Sequence, residues 1–413
     1  MTKALVSVII PVYNTAHWLP ACLDSILAQT VANMEVLCID DCSTDPRCRE
    51  IIGRYAEKDP RVVPVFLEKN QKQGHARNVG IGMARGDYLY MLDFDDMIRP
   101  DTLAVLTQMA EEEKLQTIFF DSTVAYDNPE LERLYSGYQP VRKGVYPAET
   151  VPGRRLFEDF VRQGEWTAFV QRQFWNASYL RESGVLFPEH TEHEDEYFSI
   201  CALLLAERAK YIRESFFVRR FREDSVMTKK ISCTNVHGYL RNLLLLRRFA
   251  EEHSICSEAF EQEMCRIYNR FRYCYEQTEN KEELADWFLA TEEKDLYYFF
   301  LTSLKADQFL TPVRASVLET VRTRNVYIYG AGVIGQKLYR SLAGRGLSVA
   351  GFLVSDRKGN PDAIFGHRVR ELKDVVFSSD DYVIIAMRPG FAAEAETELL
   401  GRDVPFTHDW EEK

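Results

Sequence analysis

The chain has 413 residues, enough for two or three domains of about 150 residues each. With 46% of them hydrophobic, 28% charged and 12% aromatic, collagen, coiled coil and wholesale disorder are excluded. A net charge of −12 and a pI near 5.3 argue against a nucleic-acid partner held electrostatically, and nine scattered cysteines without a CxxC pair fit a reduced, intracellular protein.

The first apolar run, residues 4–12, is broken by Pro11, Tyr13 and Asn14 before any small-residue cleavage site, so it reads as a buried strand and not as a leader. Strands are expected at residues 5–11, 35–40, 62–66 and 88–92, alternating with helical patterns in the manner of βαβ units. Leu19, Cys22, Leu23, Ile26 and Leu27 place one apolar stripe on a helix beginning near Thr15. A second helix is expected over 74–85, stopped by Gly86-Asp87. No apolar stretch reaches the ~20 residues needed to cross a bilayer.

Residues 121–190 are mixed, and 238–310 are helix-compatible, with no Gly or Pro between 239 and 310. There Arg266, Arg270 and Arg272 alternate with Tyr268, Phe271, Tyr273 and Tyr275, a pattern that fits either ordinary helix packing or contact with an anionic lipid-linked acceptor or membrane surface. Beyond Pro312 a strand at 325–329, a glycine loop from Gly330 through Gly332 to Gly335 and a helix at 336–342 read as a Rossmann-like start. Further strands are expected at 348–354 and 382–386. The expected architecture is α/β, with a nucleotide-binding domain at 1–230, a helical segment at 231–319 and a small Rossmann-like α/β domain at 320–413.

In a parallel sheet the ligand lies beyond the carboxyl ends of the strands. The residues there are Tyr13-Asn14, Asp40-Asp41-Cys42-Ser43-Thr44-Asp45 and Asp93-Phe94-Asp95-Asp96. Three carboxylates within four residues repel one another unless a cation neutralises them. Hard oxygen ligands favour Mg²⁺ or Mn²⁺, which take one or two protein carboxylates and complete their shell with water and phosphate oxygens. The competing reading is a turn in which Asp95-Asp96 and Pro100 cap the next helix.

Ser7 to Asn14, Asp40 to Asp45, Ala76-Arg77-Asn78-Val79-Gly80 and Asp93 to Asp96 together resemble the family 2 glycosyltransferases of GT-A fold over about the first 120 residues. The resemblance implies an inverting transferase that moves a sugar from a nucleotide diphosphate donor, usually UDP-linked, to an acceptor hydroxyl. By that likeness Pro11, Tyr13, Asp40 and Asp41 hold the nucleoside and Arg77 lies near it or its phosphates. Asp93, Asp95 and Asp96 bind ribose, sugar and metal, the last two as metal ligands, while Asn78 and Gly80 are structural. Phe94 replaces the usual small residue and would reshape the donor sugar pocket. Cys42 replaces the usual glycine, so its turn is expected to avoid a positive φ.

Inversion requires a general base opposite the departing diphosphate, and residues 187–198 resemble the family's Glu-Asp motif, with Asp195 as the base. Two other readings of that run are zinc held by His190 and His193 with Glu194 or Asp195, and an acid-rich helix start. Arg222 would steady leaving-group charge or lie on a solvated basic strand edge. The expected acceptor is a surface glycan or its lipid-linked precursor, reached in the cytoplasm, with peripheral attachment to the inner membrane compatible with the chain.

In the C-terminal region Gly330, Gly332 and Gly335 allow close approach of a pyrophosphate, and Asp356, 21 residues beyond Gly335, is placed to accept a ribose hydroxyl. The region also resembles the accessory Rossmann-like tails of bacterial surface-polysaccharide enzymes, so a vacant structural unit competes with NAD or nucleotide binding. Rival functions are an NAD(P)-dependent sugar oxidoreductase, which lacks a Tyr-x-x-x-Lys pair after the glycine loop, and a noncatalytic nucleotide sensor.

Overall fold

A computed structural model of the chain describes residues 6–222 except Gln139, residues 231–278, Leu284, and residues 313–410 except positions 344, 346, 359, 361, 365, 366, 388 and 409. It divides into two compact units, Met1–Leu246 with Cys274–Glu279, and Arg247–Tyr273 with Asn280–Lys413.

The first unit is built on an eight-stranded sheet of β1 (Val6–Val12), β2 (Met34–Asp40), β3 (Val62–Phe66), β4 (Tyr88–Met91), β5 (Met97–Ile98), β6 (Thr117–Tyr126), β7 (Gln173–Asn176) and β8 (Ala209–Phe221), in the order β3-β2-β1-β4-β7-β6-β8-β5. The first four of that order run parallel, and β7 is antiparallel to both β4 and β6. β1 and β2 are buried at every position, the mark of strands covered on both faces.

The helices of this unit are α1 (Leu19–Leu27), α2 (Pro46–Lys58), α3 (Lys72–Met83), α4 (Thr102–Glu113), α5 (Pro129–Leu134), α6 (Gly153–Arg162), α7 (Ala177–Ser183) and α8 (Glu194–Leu205). α1 starts four residues later than expected, because Thr15 to Trp18 form a turn and Pro20 occupies the first helical turn, where proline fits. The unanticipated α2 is capped by Asp45, whose side chain accepts from Arg47 N at 3.0 Å with Pro46 at the first position. Asp45 therefore serves as a helix cap within the acidic run.

In α3, Gly80 lies against β1 so closely that a Cβ would overlap Ile9 Cγ2. Gly80→Ala is expected to lower stability by about 1–3 kcal/mol through overpacking, read as a shift in the urea midpoint. An unchanged midpoint would mean that Ile9 yields freely.

Pro11 sits inside a central strand, normally a costly place for proline. Leu92 N donates to Ile9 O and Asp41 N to Val12 O, so alternate residues of β1 face β4 and β2. Pro11 faces the β4 side, where pairing has already ended at the Ile9–Met91 register. Its missing N–H therefore costs no ladder bond. Away from this edge, a cavity of about 490 Å³ opens at the other end of β4 and β7, lined by Tyr88, Gln116, Asn176 and Tyr179. Its two amides are used within the fold, Asn176 accepting from Tyr179 N and Gln116 from Glu207 N and Arg208 N.

α9 (Cys233–Glu252) and α10 (Glu258–Gln277) follow. The expected continuous helical stretch is interrupted between them at Ser254, whose φ of +52° is left-handed. Its continuation over 279–312, Leu284 apart, lies outside the described residues. Tyr268 and Phe271 are buried and Arg266 pairs with Glu263 at 2.6 Å, so these three pack within the fold, while Arg270, Arg272 and Tyr273 are exposed. Among the described residues no helix is long and apolar enough to cross a membrane.

The second unit carries α11 (Ala315–Thr323), β9 (Asn325–Tyr329), α12 (Val333–Ala343), β10 (Gly351–Val354), β11 (Ala363–Ile364), β12 (His367–Glu371), β13 (Asp381–Ile385), α13 (Pro389–Leu400) and β14 (Phe406–Thr407). Its sheet has the order β11-β12-β10-β9-β13-β14, parallel except for β11. The glycine loop joins β9 to α12. Gly330 has φ +125°, and a Cβ on Gly335 would overlap the Gly330 carbonyl, so both glycines are required by the turn itself. Gly332 faces open space, and Asp356 accepts from Lys358 N at 2.9 Å within its own turn.

Candidate active site

Strands β2, β1 and β4 are adjacent and parallel, so the two acidic runs leave the same sheet edge, separated by roughly two strand spacings or about 10 Å. Tyr13, half-exposed, stands at the end of β1 between them. Asn14 ties the first loop to the second, its Oδ1 accepting from Thr44 N at 2.9 Å and Asp45 N at 3.0 Å. Asp40 and Asp41 are both buried. Asp40 accepts from Ser43 N at 3.3 Å, and Asp41 from Gln71 N at 2.8 Å. Burial pushes the Asp41 carboxyl up despite those amides.

Cys42 departs from expectation. Its φ is +58°, so the turn does use the left-handed region. Cys42 Sγ lies 3.4 Å from Glu68 O, and Asp41 anchors to Gln71 beside it, so surrounding bonds hold a conformation that costs a non-glycine residue about 1–2 kcal/mol.

The turn after β4 is the centre of a charge network. Asp93 accepts from Arg77 Nη2 at 2.7 Å and from Gln171 Nε2 at 2.5 Å. Asp95 Oδ2 accepts from Arg222 Nε at 2.6 Å, and Asp96 Oδ1 from Arg220 N at 2.9 Å. The Arg222 guanidinium stacks on Trp18 at 4.3 Å and lies 5.6 Å from the Phe94 ring. Phe94 thus forms part of an aromatic slot for an arginine, and Arg222 is paired and mostly buried, which a solvated strand edge would not provide.

Arg77, 2% exposed, reaches in two directions. Its Nη2 holds Asp93, and its Nη1 donates to Glu194 Oε1 at 2.5 Å. Burial alone would lower its pKa, but Asp93 and Glu194 outweigh that and raise it. One buried cation thus joins the acidic turn to the first residue of α8, next to Asp195. Asp195 is partly exposed, and burial followed by the Glu194 and Glu196 carboxylates pushes its carboxyl well above the ordinary value. Asn78 fixes the approach to α8 by exchanging bonds of 2.9 Å with Phe187 N and O, the structural part expected of it.

His190 and His193 both have positive φ, +56° and +61°. His193 stacks on Tyr239 with centroids 4.0 Å apart. Among the described residues no group of three or more His, Cys, Asp or Glu side chains is arranged to hold a metal ion. Asp93 is committed to Arg77 and Gln171, leaving Asp95 and Asp96, each with one oxygen already engaged. Two carboxylates suit Mg²⁺ or Mn²⁺ that draws its remaining ligands from water and a diphosphate. Burial, reinforced by the neighbouring carboxylates, raises the pKa of both, even with Arg222 paired to Asp95.

Sequence reasoning did not find Gln171, Trp18 or the role of Glu194. Gln171 lies in a short 3₁₀ turn before β7, with no local signal. Trp18 lies outside the apolar stripe named for the first helix. Glu194 entered only as an alternative zinc ligand.

Residues 7–175 match the model of the family described as Glycosyl transferase family 2. The uncharacterized glycosyltransferase EpsJ of Bacillus subtilis is 30% identical over 233 residues, which are 54% of this chain and 62% of that protein. The poly(ribitol-phosphate) beta-glucosyltransferase of Bacillus spizizenii is 26% identical over 320 residues, 74% of this chain and 46% of that protein. The chain thus spans less than two thirds of the length of either relative. The crystal structure of S. aureus TarS 1-349 in complex with UDP-GlcNAc superposes with a TM-score of 0.52 at 20% identity, covering 77% of this chain and 85% of that one, and has the same fold. The family match, the mixed sheet and the acidic turns at its carboxyl edge agree: the N-terminal unit has a GT-A-type fold, and its residues 7–175 match glycosyl transferase family 2.

Proposed function

We propose that the protein transfers a sugar, with inversion, from a nucleotide diphosphate donor to a hydroxyl of a surface glycan or its lipid-linked precursor. The observation that carries this reading is the Arg77 bridge, which ties a donor-side carboxylate, Asp93, to the start of the helix bearing Asp195. In the proposed reaction Asp195 takes the proton of the acceptor hydroxyl, whose oxygen bonds to the anomeric carbon. The bond from that carbon to the diphosphate oxygen breaks, and the nucleotide diphosphate departs with the electron pair.

Pro11, Tyr13, Asp40 and Asp41 are assigned to the nucleoside, and Asp93 to the ribose or sugar. Arg222 is assigned to the leaving phosphates, where it would stabilise charge that develops as the bond breaks. Asp95 and Asp96 would hold Mn²⁺ or Mg²⁺, which when bound supplies Lewis-acid neutralisation of the diphosphate. A UDP donor is favoured because TarS, which shares the fold, was crystallised with UDP-GlcNAc. Residues 320–413 are assigned an accessory role.

A screen of UDP- and GDP-sugars, reading released nucleotide diphosphate, tests the proposal. Release from one donor class, dependent on added glycan acceptor, is the expected result. Hydride transfer to or from NAD(P), or UDP binding with no release from any donor, would overturn it. Adding UDP with Mn²⁺ should raise the melting temperature more than UDP alone. Asp96→Ala is expected to abolish that metal-dependent increment while leaving the response to UDP alone, and an undiminished increment would place the metal elsewhere.

A further inference from the structure

We propose that one face of α9 is the positioning element for the general base, with Arg241 and Asn242 as its principal residues. The inference rests on the transferase reading with Asp195 as base.

Glu189 to His193 form the loop that delivers the chain into α8. Two of these five residues, His190 and His193, are non-glycine residues with positive φ, a conformation that persists only where surrounding structure enforces it. Much of the enforcement comes from α9. Arg241 Nη1 donates to Glu189 O at 2.7 Å and to Thr191 Oγ1 at 2.9 Å. Asn242 Nδ2 donates to His193 O at 2.8 Å, on the residue immediately before α8. Thr234 Oγ1 and Asn235 Nδ2 hold the two oxygens of Glu192 at 2.7 and 2.8 Å. A Cβ on Gly238 would overlap Glu192 O, and the Tyr239 ring stacks on His193. Positions 234, 235, 238, 239, 241 and 242 follow helical spacing along one face, and every one of them meets this loop.

Asn242 shows that the face is not optimised for packing alone. It is fully buried, and its Oδ1 has no hydrogen-bond partner among the described residues. A buried acceptor left unpaired is destabilising, so an apolar residue would serve the core better. What the amide provides is the hold on His193. The donor-side residues Asp40, Asp41 and Asp93 make none of these contacts. The α9 face therefore acts on the loop before α8, which α3 meets from its other side, His75 Nδ1 lying 3.0 Å from Glu189 Oε1 and Lys72 Nζ 3.8 Å from Glu192 Oε1; α9 itself lies outside residues 7–175 matched by the family model.

The test uses the full chain with Arg241→Ala, Arg241→Lys, Gly238→Ala, Asp195→Asn and the Asp195→Asn/Arg241→Ala double variant. UDP affinity is measured with Mn²⁺, and turnover as nucleotide diphosphate released from the UDP- and GDP-sugar panel. Arg241→Ala is expected to lower kcat by about 100-fold, the scale of a 1 Å misplacement, with UDP affinity unchanged within about twofold and partial recovery in Arg241→Lys. Gly238→Ala, which wedges the loop without removing a bond, should reproduce the kcat loss. In the Asp195→Asn background Arg241→Ala should cost nothing further, because the residue it positions is gone. Losses that multiply, UDP affinity that falls in step with kcat, or unchanged turnover in both Arg241→Ala and Gly238→Ala would overturn the inference. Retained turnover in Asp195→Asn would instead remove the base assignment on which it rests, so the two failures are distinguishable.

Discussion

Asp195→Asn is expected to lower turnover by about 10²–10⁴-fold, the usual contribution of a positioned general base, while UDP binding survives. The substitution keeps the shape of the side chain while removing its charge and its ability to accept a proton. Because burial and the adjacent Glu194 and Glu196 carboxylates push the Asp195 carboxyl up, the acid limb of kcat/KM should lie above the ~3.9 of an ordinary aspartate and vanish in the variant.

The same shift fixes a stability consequence of opposite sign. The folded state holds the Asp195 proton more tightly than the unfolded chain does, so this group favours folding below the unfolded value. That contribution is lost as pH rises through the folded one. Asn cannot ionise and escapes the loss. The variant should therefore melt higher than wild type at pH 7–8, with the gap closing toward pH 4. A lower melting temperature at neutral pH would show that Asp195 is held as a stabilising anion, which is incompatible with a base poised by burial.

Arg77→Gln is expected to produce the largest stability effect. It leaves Asp93 and Glu194 without their shared cation, and removing one partner of a buried ion pair costs about 3–5 kcal/mol. For a unit of this size that corresponds to roughly 6–20 °C in melting temperature. The defect should shrink as pH is lowered toward 5, because the stranded carboxylates can then be neutralised by protons. Turnover and UDP binding should both fall, in contrast to Asp195→Asn. A melting shift under about 2 °C would mean that Gln171 and the amides around α8 suffice without the guanidinium.

The strands bearing the acidic turns were legible because their apolar runs are uninterrupted and their polar ends abrupt. β3 and β9 match the expected limits, β2 and β4 differ by one residue at one end, and β1 and β13 are shifted by one residue at both ends. α1 and α3 were displaced by two to four residues, because their starts depend on turns that hydropathy does not register. α2 was missed because Asp45 and Pro46 read as part of an acidic loop. The candidate site was legible as far as its residues are local. Asp93, Asp95 and Asp96 lie in one tetrapeptide, and Arg77 and Arg222 belong to quoted motifs. Arg77's second partner, Gln171 and the α9 face were not, since each is a contact across 78 to 117 residues, or 42 to 52 in the case of α9. Cys42 shows the limit of residue preference, because its backbone is dictated by the neighbours that hold it.

Pro11 carries a final consequence. Two parallel strands that diverge by a residue or two invite zippering, each new amide finding a carbonyl across the gap and drawing the fork closed. At the first position where β1 could recruit β4 again, the chain has no hydrogen to offer. An imino acid thus acts as a doorstop: the ladder is not extended past Ile9 and Met91, and the chain after β4 is left to turn aside with its carboxylates.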